Sequence, residues 1–231
     1  MATTLITGTN RGLGLEFVRQ YAKDNWQVHA CCREQDKARE LRQLAAQYKN
    51  ISVHALDVAD HQQIETLGKE LRDTPIDILL NNAGVYAGNS DESFGSLNYE
   101  AWNHAFRINT LAAAKMAEVF AEHVARSEKR LIAAISSLMG SMADNGSGGS
   151  YLYRSSKAAL NAVMVSLARD LKARRIGTLV LHPGWVKTDM GGSNAEITTE
   201  ISVRGMRKVM EQFVLKDSGR FIAYDGSDMP W

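Results

Sequence analysis

The stretch TTLITGTNRGLG, residues 3–14, joins a short apolar run to a loop that contains three glycines. The first five residues predict a buried strand, and the run GLEFVRQYAKD, residues 14–24, predicts the helix that follows. Gly8, Gly12 and Gly14 allow a tight turn and a close approach of backbone N–H groups to a phosphate. The helix would direct its positive N-terminal end at the same place. This order of strand, glycine loop and helix favours dinucleotide binding.

The glycine spacing is G-x-x-x-G-x-G and differs from the G-x-G-x-x-G of the general dinucleotide fingerprint. A tight strand-to-helix turn that binds no ligand is therefore the alternative. The position of the loop on the first strand of a β-α-β unit favours the dinucleotide, because ligands bind at this point in open α/β sheets.

Short apolar runs alternate with longer amphipathic runs along the rest of the chain. Strands that are apolar throughout and separated by helices indicate a parallel sheet covered on both faces. We predict an α/β fold, a Rossmann-type doubly wound parallel sheet of about seven strands with helices on both faces. We expect residues 1–231 to form a single domain. The predicted strands are 3–7, 27–33, 51–57, 76–84, 130–137, 177–184 and 219–226, and the predicted helices are 14–24, 36–49, 61–73, 99–126, 153–174 and 199–215.

Composition and charge are typical of a soluble globular protein. The 231 residues are 45% hydrophobic and 23% charged, and the formal net charge is +1. A chain so close to neutral lacks the basic excess that attracts nucleic acids or anionic membranes, so we expect neither as a partner. The most apolar helical run, residues 108–124, cannot span a bilayer because polar and charged residues interrupt it. These are Lys115, Glu118, Glu122 and His123.

The two cysteines, Cys31 and Cys32, are adjacent and give neither a disulfide framework nor a metal-ligand spacing. Because both lie in an apolar run, we expect buried thiols in a strand and no metal site. The N-terminal residues pass directly into the first strand, which leaves no room for a signal peptide. Free thiols fit a reducing compartment, so the predicted location is cytoplasmic.

The residue types at the tip of the second strand indicate which nicotinamide cofactor the chain uses. This strand ends in Cys31-Cys32-Arg33, and Arg11 lies in the glycine loop. Two cations with no acid before Glu34 favour NADP(H) over NAD(H), because the 2′-phosphate requires positive charge and the free ribose requires a carboxylate. The alternative is that both arginines are ordinary surface residues.

Other predicted strand ends also carry polar or turn-forming residues. Asp57 follows the third strand and has two interpretations: it accepts from an adenine amino group, or it caps the helix that begins near Asp60. The fourth strand ends in NNAG, residues 81–84, and the sixth ends in PGWVKT, residues 183–188. Glycine and proline at such positions allow a ligand to approach the backbone closely.

The stretch YLYRSSK, residues 151–157, places two tyrosines ahead of one lysine. Tyr153 and Lys157 are four residues apart and share a helical face, whereas Tyr151 is expected in the preceding loop. A phenol has a pKa of about 10, which a nearby ammonium group lowers. The pair would then exchange a proton with a substrate oxygen held by Ser137, at the end of the fifth strand. An ordinary tyrosine–lysine contact on an amphipathic helix is the alternative.

Together the motifs resemble those of the short-chain dehydrogenase/reductases. That family shares a T-G-x-x-x-G-x-G loop, an N-N-A-G turn, a serine at the end of the fifth strand, Y-x-x-x-K and a P-G turn. Here these are residues 7–14, 81–84, Ser137, 153–157 and 183–184, in the same order and across nearly the whole chain. Within the family, the chain looks most like the small carbonyl reductases of the sniffer and C-factor group.

The resemblance implies a role for each matching residue. Tyr153 would be the acid/base, Lys157 would lower its pKa and hold the nicotinamide ribose, and Ser137 would polarise the carbonyl. Asn109 would join a proton relay through water to Lys157. The resemblance also implies that the NADP(H) site is lined by Gly8, Asn10, Arg11, Gly12, Leu13, Arg33, Asp57, Val58, Asn81, Ala83, Gly84, Tyr153, Lys157, Pro183, Gly184, Val186 and Thr188.

Two features depart from the usual pattern of the family. The interval from Ser137 to Tyr153 is longer than usual, which leaves Ser136 as an alternative to Ser137. Alternation along the strand places the two serines on opposite faces, and Ser137 is preferred. The substrate segment after Pro183 is short, near 187–200, which implies an open pocket. Apolar residues in the candidate pocket indicate a small hydrophobic carbonyl substrate.

Two functions follow from the resemblance. The first is NADPH-dependent reduction of an aldehyde, ketone or quinone, with Tyr153 as the proton donor. The alternative is an NAD(P)H-binding signalling protein of the C-factor type with little or no turnover. The complete set of serine, tyrosine, lysine and asparagine favours the enzyme. Helices 99–126 and 153–174 form dimer faces in many relatives, so the chain is expected to be a monomer, a homodimer or a homotetramer.

Overall fold

A parallel sheet lies at the centre of the computed structural model, which describes residues 1–86 and 94–231. The strands are β1 (Thr3–Thr7), β2 (Gln27–Cys32), β3 (Ile51–Ala55), β4 (Ile78–Asn81), β5 (Leu131–Ile135), β6 (Gly177–His182) and β7 (Arg220–Ala223). Within these residues the seven strands form one sheet in the order β3-β2-β1-β4-β5-β6-β7, and every neighbouring pair is parallel. The chain changes direction across the sheet between β1 and β4, and ligands bind at such a switch point.

Helices cover both faces of the sheet. They are α1 (Gly12–Lys23), α2 (Arg39–Gln47), α3 (His61–Glu70), α4 (Tyr99–Phe106), α5 (Ala112–Ala125), α6 (Tyr151–Asp170) and α7 (Thr199–Gln212). Helices α3, α5 and α6 contribute to the core on one face, and α1, α2 and α7 contribute to the core on the other. The predicted doubly wound α/β fold is therefore confirmed.

Alternation along the central strands divides the core between the two faces. Leu5 and Leu79 point to the face with α3, α5 and α6, whereas Ile6 and Leu80 point to the opposite face. All four side chains are completely buried. Burial of each such side chain stabilises the fold by about 1.5–3 kcal/mol, which explains why the strands are apolar throughout.

Two helices differ from their predicted bounds in ways that matter for the site. The predicted helix 99–126 is divided, because one π-helical turn, Arg107–Leu111, separates α4 from α5. The predicted helix 153–174 begins earlier, at Tyr151, so the expectation that Tyr151 lies in a loop is wrong. Ser150 adopts a left-handed backbone conformation with φ of 45° just before α6. The left-handed conformation of Ser150 turns the chain, and α6 begins at the next residue.

Cys31 and Cys32 are buried free thiols in β2, as the sequence predicts. Burial raises the pKa of both thiols, so both stay protonated and unreactive at neutral pH. In the two described parts of the chain, no helix is both long and apolar enough to cross a membrane.

Candidate active site

The glycine loop after β1 packs tightly against the turn that follows β4. Gly8 has a φ of 69°, and a Cβ atom at this position would lie 2.8 Å from the Cα atom of Ala83. A Cβ atom on Gly14 would lie 2.1 Å from the carbonyl oxygen of Gly8. The Asn82 side chain closes the junction, since its Nδ2 atom donates to the carbonyl oxygens of Thr7 at 2.8 Å and Gly8 at 3.0 Å. Gly8 and Gly14 are thus required for packing within the protein.

The third glycine of the loop, Gly12, is less enclosed. It has a φ of 57°, and the atom nearest to an added Cβ would be Cγ2 of Thr188, at 3.5 Å. Gly12 is also the first residue of α1, whose first turn has no side-chain cap and no acidic residue. The first N–H groups of α1 therefore have no side-chain acceptor of the kind that Asp60 provides at the start of α3. This arrangement suits a phosphate.

Asn81 provides a further polar group for a ligand. It is buried at the end of β4, and its Nδ2 atom has no hydrogen-bond partner among the described residues. The residue lines a small internal cavity together with Thr7, Val58 and Ala83. A buried donor without an acceptor is costly, and a bound ligand would remove that cost. The orphaned donor and the open first turn of α1 both fit a dinucleotide at this edge of the sheet.

The structure excludes one of the two interpretations of Asp57, the helix cap. The N-cap of α3 is Asp60, whose side chain accepts from the backbone N–H groups of Gln62 and Gln63. Asp57 accepts from the N–H of Ala59 at 2.9 Å and so forms only a local turn. The interpretation of Asp57 as the helix cap is wrong, and its role toward adenine stays a prediction.

The two candidate cations of the cofactor site are exposed. Arg33 directly follows β2, and Arg11 lies in the glycine loop. Glu34 does not serve as a free acid at this strand tip, because its side chain accepts from Lys37 at 2.7 Å. That contact lowers the pKa of Glu34. Arg11 forms an ion pair of 2.6 Å with Asp189, in the segment after β6.

The remaining loop positions differ in exposure. Asn10 is exposed and Leu13 is partly buried. Val58 follows β3 and is buried beside the small cavity that Asn81 lines. Of these three residues, Asn10 faces solvent, whereas Leu13 and Val58 pack against the protein.

Ser137 and Tyr153 come together at the carboxyl end of β5. Tyr153 is buried in the first turn of α6, and its hydroxyl group lies close enough to the Ser137 side chain for that group to affect its pKa. Ser137 also accepts from the backbone N–H of Met139 at 3.1 Å, which orients its hydroxyl group. Ser136 points elsewhere, since its Oγ atom donates to Oδ1 of Asn161 at 2.6 Å. The geometry thus supports Ser137 as the serine that accompanies Tyr153.

Lys157 lies one helical turn beyond Tyr153 on the same face of α6. Its Nζ atom is 5.8 Å from the centroid of the Tyr153 ring and donates to the carbonyl oxygen of Ile135 at 2.9 Å. Only 4% of Lys157 and 7% of Tyr153 is exposed. The predicted common face is therefore present, and both polar groups are removed from solvent.

The expected effect of Lys157 on Tyr153 is wrong for this structure. Burial raises the pKa of Tyr153 to about 12, which exceeds the lowering effect of the nearby Ser137 side chain. Burial also lowers the pKa of Lys157 to about 8. Burial disfavours the charged form of each group, so both shifts oppose a phenolate–ammonium pair. Tyr153 is consequently protonated at neutral pH.

Asn109 holds the backbone next to this pair. It lies in the π-helical turn between α4 and α5, and its side chain accepts from the N–H of Val85 at 2.8 Å and donates to the Val85 carbonyl oxygen at 2.9 Å. Its Nδ2 atom also contacts Oγ of Ser156 at 2.9 Å. A Cβ atom on Gly84 would lie 3.3 Å from Oδ1 of Asn109 and 3.4 Å from Nζ of Lys157. Gly84, Asn109 and Lys157 therefore surround one small volume.

The segment after β6 returns to the glycine loop. Gly184 has a φ of 80°, and a Cβ atom there would lie 2.8 Å from Ile197, so this turn after Pro183 also requires glycine. Val186 is buried and pairs with Ile197. Thr188 accepts from the N–H of Gly191 at 3.1 Å and lies against Gly12. The segment thus lies against the start of α1.

Tyr86 is an aromatic residue of the site that belongs to none of the sequence motifs. Tyr86 lies two residues after the NNAG turn, and its ring centroid is 4.9 Å from that of Tyr153. Its spacing from Tyr153 along the chain carries no periodicity, so only the fold reveals the contact. No sequence pattern indicates the contact of Asp189 either, because its partner Arg11 is distant along the chain.

The fold, the glycine loop and the serine–tyrosine–lysine arrangement together define a class of oxidoreductase. A family model described as short chain dehydrogenase matches residues 2–198, and the chain belongs to that family. The predicted family is therefore confirmed.

Several known proteins are similar to this chain. It resembles the carbonyl reductase Sniffer of D. melanogaster, with 33% identity, a TM-score of 0.93 and coverage of 100% of both chains. It resembles the NADPH-bound carbonyl reductase from chicken fatty liver, with 32% identity, a TM-score of 0.92 and coverage of 100% of this chain and 99% of that one. It is 40% identical over 157 residues to the C-signal of Myxococcus xanthus, covering 68% of this chain and 93% of that protein.

Proposed function

We propose that this chain reduces a carbonyl group to an alcohol with NADPH and that Tyr153 donates the proton. The observation that carries the proposal is the proximity of the buried Tyr153 to the Ser137 side chain, with Lys157 one helical turn away. A hydroxyl pair of this kind can bind one carbonyl oxygen from two directions. We also propose that residues 1–231 form a single domain and that residues 187–200 form its substrate segment.

The residues of the glycine loop and of the neighbouring strand ends would hold NADP(H) in preference to NAD(H). Arg11 and Arg33 would bind the 2′-phosphate, and Glu34 would not compete for the ribose because Lys37 engages it. The open first turn of α1 would bind the pyrophosphate. The similar carbonyl reductase from chicken fatty liver is NADPH-bound, which supports this choice. Lining residues would be those of the glycine loop, Asp57, Val58, Asn81, Ala83, Gly84, Pro183, Gly184, Val186 and Thr188.

The bound dihydronicotinamide would supply the hydride. Ser137 would hold the carbonyl oxygen, and the neutral Tyr153 hydroxyl would transfer its proton to that oxygen as negative charge develops there. Lys157 would hold the nicotinamide ribose and would return a proton to Tyr153. Asn109 would keep the Val85 backbone in place and would border the path of that proton.

Burial of Tyr153 favours the protonated phenol, which is the form that reduction of a carbonyl group requires. A pKa of about 12 keeps the phenol protonated at neutral pH, which is the form that donates a proton to a nascent alkoxide. The reverse reaction requires a phenolate to accept a proton from an alcohol, and burial disfavours that form. The exposed Trp185 and Met190, both 51% exposed in the segment after β6, support a small hydrophobic carbonyl compound as substrate.

The test is consumption of NADPH by the purified full chain with a panel of quinones, diketones and aromatic aldehydes. We expect one alcohol formed for each NADPH consumed, and a higher kcat/KM with NADPH than with NADH. Binding of NADPH without turnover of any carbonyl compound would contradict the proposal and support the signalling alternative. The similarity to C-signal is consistent with either outcome.

A further inference from the structure

We propose that Tyr86 is a specificity residue whose ring selects planar, conjugated carbonyl compounds over saturated ones. The inference rests on the proposed function and names the substrate class of that same site. None of the sequence motifs includes this residue. Its position beside the Tyr153 ring carries the argument.

The Tyr86 ring lies next to the reactive hydroxyl group and remains open to solvent. The centroids of Tyr86 and Tyr153 are 4.9 Å apart and the ring planes are tilted by 45°. Tyr86 is 47% exposed, whereas Tyr153 is 7% exposed. In this proposal, a substrate whose oxygen contacts the Tyr153 hydroxyl group places the rest of its body against the uncovered part of the Tyr86 ring.

The backbone that carries this ring is held in place on its N-terminal side. Both the N–H and the carbonyl oxygen of Val85 are hydrogen-bonded to the buried Asn109 side chain. Gly84 packs so closely on Asn109 and Lys157 that an added Cβ would lie within 3.4 Å of both. An aromatic surface on a fixed backbone binds with little loss of conformational freedom, as a specificity element requires.

The hydroxyl group of Tyr86 already has a partner. Its Oη atom lies 3.3 Å from Oγ of Ser150, the left-handed residue just before α6. This contact positions the ring, and the part of the ring that Tyr153 does not cover is open to a ligand. Aromatic rings attract one another in tilted or offset geometry, and the gain corresponds to about 2- to 12-fold in affinity. A saturated ring of equal size lacks this gain.

The test compares acetophenone with cyclohexyl methyl ketone, two ketones with the same carbon skeleton but a planar or a puckered ring. We expect Tyr86→Leu to lower the ratio of kcat/KM for the planar over the puckered ketone by roughly 3- to 10-fold, mainly through KM of the planar ketone. Tyr86→Phe keeps the ring and loses only the contact with Ser150, so we expect it to retain at least half of the wild-type ratio.

A binding measurement supports the kinetic one. The alcohols 1-phenylethanol and 1-cyclohexylethanol are titrated into the NADP⁺-saturated wild type and Tyr86→Leu, and only the Kd of the aromatic alcohol should rise. Equal losses for both ketones and both alcohols, or an unchanged ratio in Tyr86→Leu, would overturn the inference while leaving the proposed function intact. Failure of the wild type to reduce either ketone or any other carbonyl compound would overturn both.

Discussion

The glycine-loop region and the first turns of α6 both lie at the carboxyl edge of the sheet, but their charged groups differ in exposure. The glycine loop exposes Arg11, and the neighbouring strand tip exposes Arg33. Helix α6 instead buries Tyr153 and Lys157 almost completely. Exposed cations bind an anion with little change in their own ionisation, whereas burial changes the pKa of the groups it encloses. We therefore expect cofactor binding to depend on salt, and proton transfer to depend on pH.

The rigidity of the glycine loop gives the largest expected effect on stability. A Gly14→Ala substitution places a Cβ atom 2.1 Å from the Gly8 carbonyl oxygen, so backbone must move. We expect the free energy of unfolding to fall by about 2–4 kcal/mol, measured by urea denaturation. Gly146→Ala is the matched control, because no atom lies within 4 Å of its added Cβ. A Gly14→Ala protein as stable as this control would show that the loop is not closely packed.

The buried lysine predicts a pH dependence of catalysis. Burial lowers the pKa of Lys157 from 10.5 to about 8, so its ammonium form is present below pH 8 and is lost above it. We expect kcat/KM for reduction to fall about tenfold per pH unit above pH 8, because Lys157 would no longer return a proton to Tyr153. Tyr153, with a pKa of about 12, adds no second loss below pH 10.

The control for this profile is Lys157→Arg, which keeps a positive charge throughout the range. Its kcat/KM should be lower than that of the wild type but should not decline between pH 7 and 10. A wild-type profile that stays flat to pH 10 would mean that Lys157 is not the group that titrates.

The exposed cations predict a smaller effect that is confined to one cofactor. Arg11→Gln and Arg33→Gln should each raise the Kd for NADPH by about 5- to 30-fold, because each removes a charge-assisted contact with the 2′-phosphate. The Kd for NADH should change less than about twofold. Arg39→Gln removes a nearby exposed cation at the start of α2 and serves as the control. Fluorescence titration at two salt concentrations measures all of these, and equal losses for both cofactors would contradict the assignment.

The ion pair between Arg11 and Asp189 predicts the smallest effect. Both side chains are more than two-thirds exposed, so the pair contributes little to stability. Asp189 nevertheless competes with a phosphate for Arg11. We expect Asp189→Asn to lower the Kd for NADPH by about 2- to 3-fold without altering the Kd for NADH. The same improvement in an Arg11→Gln background would show that Asp189 acts through another group.

The sheet and the common face of Tyr153 and Lys157 were predictable because both depend on local periodicity. A parallel strand is apolar throughout, and a spacing of four residues defines a helical face wherever the helix lies. Ser137 was predictable to the same extent, since alternation separates it from Ser136. Local patterns of this kind need no knowledge of which segments meet in space.

The pKa of Tyr153 was not predictable, because burial depends on how the whole chain packs. The sequence indicates that an ammonium group lies nearby, but it does not indicate that both groups lose solvent. The contact between Tyr86 and Tyr153 joins segments that no periodicity relates. The π-helical turn at Asn109 interrupts a run that is regular in sequence, so its position also required the structure.

The central claim is that Tyr153 gives the proton to the substrate oxygen, and Tyr153→Phe tests it most directly. This change removes one oxygen atom and leaves the ring that packs against Tyr86. We expect kcat for a reducible ketone to fall by about 10²- to 10⁴-fold, the contribution of a positioned general acid, with the Kd for NADPH unchanged. Tyr151→Phe, two residues earlier and exposed, should retain wild-type kcat. A Tyr153→Phe enzyme whose kcat stays within threefold of the wild type would contradict the account.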